Sequence, residues 1–157
     1  MDARPELGPP ALCLGGFHVW VQGRQYPWED CYWDGNRLAI MAICTAQGSQ
    51  VTVQGPCLHV GDLLRWSKEC EALLSKARDS ITLWAMEPEL HLQLSRRGER
   101  VRIQVAISPS VASQEHIYRF EVDWQELERF QEGLRQLIAT YPQRGEPRPA
   151  GEAKSGA

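Results

Sequence analysis

The sequence predicts an α+β fold, in which a mainly antiparallel sheet of about six to seven strands packs against two amphipathic helices in the order β-β-β-α-β-β-β-β-α. Three observations carry that prediction. Several short runs alternate apolar and polar residues with period two, as half-buried strands do. Only two stretches show helical spacing of apolar residues, one mid-chain and one near the C-terminus. Short polar turns, not helices, join most of the strand-like runs, which favours hairpins over parallel crossovers.

The first strand is read from Phe17, Val19 and Val21 alternating with His18, Trp20 and Gln22. The run from Arg37 to Thr45 is apolar on both parities, as expected of a central strand covered on both faces. Gln47-Gly48-Ser49 turns the chain, and Val51 and Val53 alternate on a returning strand that Gly55-Pro56 should end. From Val60 to Lys76, Leu63, Trp66, Cys70, Leu73 and Leu74 form an apolar stripe opposite Arg65, Lys68 and Glu69. Four more strand-like runs follow: Ile81 to Met86, Leu90 to Leu94, Val101 to Ile107 and Tyr118 to Val122. Asp123 with Glu126 three residues on is a capping pair, and Leu127, Phe130, Leu134, Leu137 and Ile138 continue as a second amphipathic helix stopped by Pro142. No internal repeat shows in the sequence.

These elements occupy a single domain at residues 13–142. Residues 1–12 and 143–157 are rich in Pro, Gly, Glu and Arg without periodicity and read as disordered tails. The 157-residue chain, 43% hydrophobic and 24% charged, can bury a core without staples. Its five cysteines include no C-x-x-C pair, so they read as buried hydrophobes in a reducing compartment. No apolar run reaches the ~20 residues a membrane span needs, and the first residues lack the layout of a signal peptide. A cytoplasmic location without membrane association is the expectation. The net charge of −3 argues against indiscriminate nucleic-acid binding.

The sequence contains no G-x-S-x-G, Walker-type loop, G-x-G-x-x-G or H-E-x-x-H, and no cofactor is expected. Cys57 and His59 are the only local hint of metal ligation, and a strand end leading into the first helix accounts for them equally. The basic group Arg96, Arg97, Arg100 and Arg102 lies at a hairpin tip without interleaved aromatics, which fits a solvated turn. Glu87 and Glu89 flank Pro88, and with His91 they form the candidate polar lining of a pocket, for a small ligand or a hydrolytic reaction.

The most unusual stretch runs from Tyr26 to Gly35. Four aromatics and three acids stand there without a base. Aromatic anchors ringed by acids make a protein-binding surface that would complement a basic partner, with Trp28, Glu29, Asp30, Tyr32, Trp33 and Asp34 as the contact set. The competing reading places Trp28, Tyr32 and Trp33 as a cap on the core.

Asp34-Gly35-Asn36-Arg37-Leu38 opening an apolar strand resembles the Asp-x-Asn-x-Leu opening of WapI-type immunity proteins of bacterial toxin systems. The order of later landmarks is similar too: a hairpin, Cys57-Leu58 before a helix, the Glu87-Pro88-Glu89-Leu90 junction, a hairpin at Gly98 and a closing helix. Arg37 stands where that family leads one to expect an aromatic, and Glu89 where it leads one to expect Asn. The resemblance implies a non-enzymatic protein that binds and blocks a cognate toxin domain, often a basic nuclease. It carries over no catalytic residues.

Overall fold

The computed structural model describes residues 7–147. The α+β class and the antiparallel pairing are as expected, but the strands form two sheets and not one. β1 (Leu12–Leu14), β2 (Phe17–Arg24), β3 (Arg37–Ala46) and β4 (Ser49–His59) make one four-stranded meander, with a short helix α1 (Tyr32–Gly35) between β2 and β3. Helix α2 (Val60–Leu74) leads to β5 (Ser80–Trp84), β6 (Leu90–Arg97), β7 (Arg100–Ile107) and β8 (Ile117–Asp123), the second meander, and α3 (Trp124–Thr140) follows it. Period-two patterning marks which residues are extended; it carries no information on which strand pairs with which, so one sheet and two sheets read alike.

Apolar faces of both sheets and both long helices share one core. Phe17, Leu38, Ile40 and Leu58 from the first sheet meet Leu83, Leu92, Ile103 and Val105 from the second and Leu63, Trp66, Phe130 and Leu134 from the helices. The double-sided reading of 37–45 holds for β3. It pairs with β2 and β4, turns Leu38, Ile40, Ala42 and Cys44 into that core, and turns Met41 and Ile43 to a smaller cluster with Trp20 and Leu7. Here Trp20 Nε1 donates to the Gly8 carbonyl at 2.9 Å.

Strand β4 runs past Gly55-Pro56 to His59. It is an edge strand, so the missing proline N–H costs no ladder bond, and a bulge in the pairing, with Gly55 at φ 145°, absorbs the irregularity. The expected tail boundaries fall inside packed structure at both ends. Leu12 is fully buried in β1, and Arg144 is bonded into the fold as described below. Residues 1–6 and 148–157 lie outside the described residues.

The two halves repeat a plan that the sequence does not display. Each is a four-stranded meander followed by a helix whose N-cap is the last strand residue, His59 for α2 and Asp123 for α3. Counted from the caps, buried Leu63, Trp66, Cys70 and Leu73 correspond to buried Leu127, Phe130, Leu134 and Leu137. The third helical residue, Asp62 or Glu126, uses its carboxylate to accept from a backbone amide just beyond the first strand of the other half: Met86 N at 3.0 Å, Gly15 N at 2.7 Å. The equivalent residues Ser67 and Gln131 meet where α2 and α3 pack, with Gln131 Nε2 donating to the Ser67 carbonyl at 3.0 Å. Each helix is thus fastened to the opposite sheet.

Candidate functional site: a braced acidic-aromatic loop

Residues 26–35 join β2 to β3, and what holds them is a buried asparagine. Asn36 is fully buried and uses all of its side-chain hydrogen-bonding capacity. Its Nδ2 donates to the Tyr32 carbonyl at 2.7 Å and the Arg144 carbonyl at 2.8 Å, and its Oδ1 accepts from Arg144 N at 2.9 Å and the Arg24 guanidinium at 3.1 Å. Two arginines complete the brace. Arg24 also donates to the carbonyls of Gly35 and Pro142, each at 2.6 Å. Arg144 donates to those of Pro27 at 2.6 Å and Glu29 at 2.9 Å. The segment just after α3 therefore straps the loop by its main chain and leaves the side chains of Trp28, Asp30, Trp33 and Asp34 outward.

His59 closes the other side. Its Nδ1 accepts from Gly61 N at 2.9 Å, capping α2, and its Nε2 bonds the Tyr32 carbonyl at 3.0 Å. Tyr32 and Trp33 pack at a tilt around it, with ring centroids 4.8 and 5.8 Å from the imidazole. Gly61 is required by close approach, because a Cβ there would collide with the Tyr32 hydroxyl. Burial lowers the His59 pKa below the ordinary histidine value and Arg37 adds to this, while the bond to the Tyr32 backbone and the charge of Asp62 oppose it.

The predicted contact residues distribute unequally over this frame. Trp28 is 75% exposed and Trp33 49% exposed, so neither caps the core. Asp30 and Asp34 are exposed, whereas Glu29 and Tyr32 are half-buried. Trp28 meets Tyr26 edge-on at 5.9 Å and Trp33 meets Tyr32 at 4.8 Å. The two indoles thus rest on tyrosines that are themselves partly covered. The bracing roles of Asn36, Arg24, Arg144 and His59 were not evident from sequence. Asn36 was visible only as part of the Asp-x-Asn-x-Leu opening before β3, which says nothing of its partners.

Glu87 and Glu89 come together, but His91 does not join them. Glu87 and Glu89 line a cleft of about 270 Å³ with Val53, Gly55, Cys57 and Pro109. His91 lies on the outer face of the second sheet, alternating with inward Leu90 and Leu92, and stacks on exposed Trp84 at 4.7 Å. In the cleft, the Glu89 Oε1 is buried with no hydrogen-bond partner. Burial, then the charges of Glu89 and Glu87, push the Cys57 thiol up to about 11. His59 has both ring nitrogens engaged, and among the described residues no three potential metal ligands come together. At the basic hairpin, Arg96 pairs with Asp79 at 3.2 Å and Arg102 with Glu121 at 3.7 Å.

The family-level signature sits at the centre of this geometry. Asp34-Gly35-Asn36 forms the end of α1 and its buried anchor, and Arg37 bridges Asp34 at 3.7 Å and Glu87 at 3.3 Å, joining the loop to the Glu87-Pro88-Glu89 junction. The model of the immunity protein WapI-like family matches residues 14–142. The chain belongs to that family. Its role is accordingly of the immunity type, exercised through protein binding. The matched span of this WapI-like chain contains Asn36, Arg24 and His59 and stops just before Arg144. No curated protein matches the chain. No helix among the described residues is long and apolar enough to cross a membrane.

Proposed function

We propose that this WapI-like protein neutralises a cognate toxin domain in the cytoplasm by binding it, without catalysis of its own. The contact surface is the loop carrying Trp28, Glu29, Asp30, Tyr32, Trp33 and Asp34. The observation that carries the reading is two largely exposed indoles on a loop whose main chain is fixed at both sides. A fixed loop loses little conformational entropy on binding, and exposed tryptophans ringed by other contacts are the residue type that dominates binding energy. The carboxylates of Asp30 and Asp34 suit a basic partner, such as a nuclease domain whose own substrate is a phosphate backbone.

The test uses the cognate toxin domain, expected to be encoded beside the gene. Trp28→Ala with Trp33→Ala should weaken its binding by calorimetry by at least about 30-fold, roughly 2 kcal/mol, and abolish rescue of growth on co-expression. The melting temperature should stay within about 2 °C of wild type, because neither ring fills the core. Undiminished affinity in the double variant would overturn the assignment of the surface.

A further inference from the structure

His59 is buried where β4, α2 and the recognition loop meet, with 2% of its surface exposed. A carbonyl can only accept, so the bond to Tyr32 places the proton on Nε2; the amide of Gly61 can only donate, so Nδ1 must offer its lone pair. The neutral ring satisfies both partners. An imidazolium would set an N–H against the Gly61 N–H and lose the cap of α2.

The second proton would sit on Nδ1, which faces the Gly61 N–H. Asp62, from α2, already accepts from His59 N at 2.9 Å, Met86 N at 3.0 Å and Arg65. Arg37, from β3, is a cation whose field opposes a further positive charge. From α1, Tyr32 presents its carbonyl and its phenol ring, and Trp33 presents an indole and its backbone; the two backbone contacts favour the charged ring, and burial outweighs them. We infer that His59 is an acid-released latch: neutral, it ties the Tyr32–Trp33 turn of the recognition loop to the start of α2 through one bond at each ring nitrogen, and on protonation the tie breaks at its α2 end, where Nδ1 can no longer accept, while Nε2–H keeps the Tyr32 carbonyl.

The direction of the pH effect follows from burial. The folded-state pKa lies below the ordinary 6.5, so the unfolded chain takes up the proton first as pH falls. Stability from this residue is complete above about 6.5 and is lost as pH drops through the lower folded value. His18 and His91 are also lowered, chiefly by burial, and contribute slopes of the same sign.

The latch stands on geometry alone; only its bearing on partner affinity rests on the function proposed above. The full chain, free of partner, is titrated from pH 7.5 to 4.5 by NMR, following the His59 imidazole and the Trp33 indole N–H. His59 is expected to titrate below 6.5 with the indole signal moving at the same midpoint. In His59→Asn, which can still cap but has no proton to gain, that indole step should vanish. Titration of His59 at or above 6.5 in the wild type, or an indole that stays still as His59 titrates, would overturn the latch even if the variant fails to fold. An indole step that persists unchanged in His59→Asn would do so as well. If the indole steps as expected and affinity for the neighbouring toxin domain is the same at both ends of the titration, the latch stands and the recognition surface is what has been misplaced.

Discussion

Replacing Asn36 is the sharpest test of how the loop is held. Asn36→Ala removes four hydrogen bonds at once and leaves the Arg144 carbonyl and amide without partners, while the Tyr32 carbonyl keeps only His59 and Arg24 keeps the Gly35 and Pro142 carbonyls. At about 1 kcal/mol net for each bond, and with water able to reach some of the orphaned loop groups, the loss should be about 3 kcal/mol. For a chain of this size that corresponds to a melting point lower by roughly 6–12 °C. Urea denaturation followed by circular dichroism measures it, with the slope unchanged if only the native state is affected. Asn36→Asp separates volume from chemistry: it keeps the shape and strengthens the pairing with Arg24, yet turns a carboxylate oxygen toward two carbonyl oxygens. It should remain clearly less stable than wild type at pH 7. A loss under 1 kcal/mol for Asn36→Ala, or wild-type stability for Asn36→Asp, would refute the reasoning and return the loop to its own local contacts.

Two further outcomes follow from the repeated half and the cleft. Asp62→Ala should cost about 3 kcal/mol and Glu126→Ala about 1 kcal/mol, because the buried carboxylate serves two backbone amides and Arg65 whereas its partly exposed counterpart serves Gly15 alone; equal losses on chemical denaturation would argue against that division. Burial first and then the charge of Glu89 raise the Cys57 thiol to about 11; Glu89→Gln removes that charge, so maleimide labelling at pH 8.5 should quicken at Cys57 while Cys44 and Cys70, which Glu89 does not reach, keep their rates. An unchanged Cys57 rate would remove Glu89 from its surroundings.

The departures from the family pattern find a place in this picture. Arg37 replaces an expected aromatic and forms the ionic bridge between Asp34 and Glu87. Its side chain is partly exposed, so the bridge is screened and contributes modestly to stability. Its position matters more than its strength, since it abuts the 26–35 loop on one side and the cleft on the other. Glu89, in place of an expected Asn, leaves an acceptor oxygen buried without a donor.

From the chain alone came the features that depend on near neighbours. Helices α2 and α3 were legible because Leu63, Trp66, Leu73 and Leu127, Phe130, Leu134 recur at helical spacing, and the N-cap Asp123 because its geometry spans a single turn; the expected return bond from Glu126 does not form, since its carboxylate goes to the Gly15 amide in the other half. The central position of β3 followed from its apolar residues on both parities, and the aromatic and acidic character of 26–35 was plain in the composition. The tertiary structure decided whatever joins residues far apart in the chain. Two sheets instead of one, the repeated halves, the exposure of Trp28 and Trp33, and the brace linking Arg24, Asn36, His59 and Arg144 all depend on long-range hydrogen bonds and on which face meets which. Side-chain periodicity repeats every two or 3.6 residues and therefore reports burial along one element; it holds no record of the partner that does the burying.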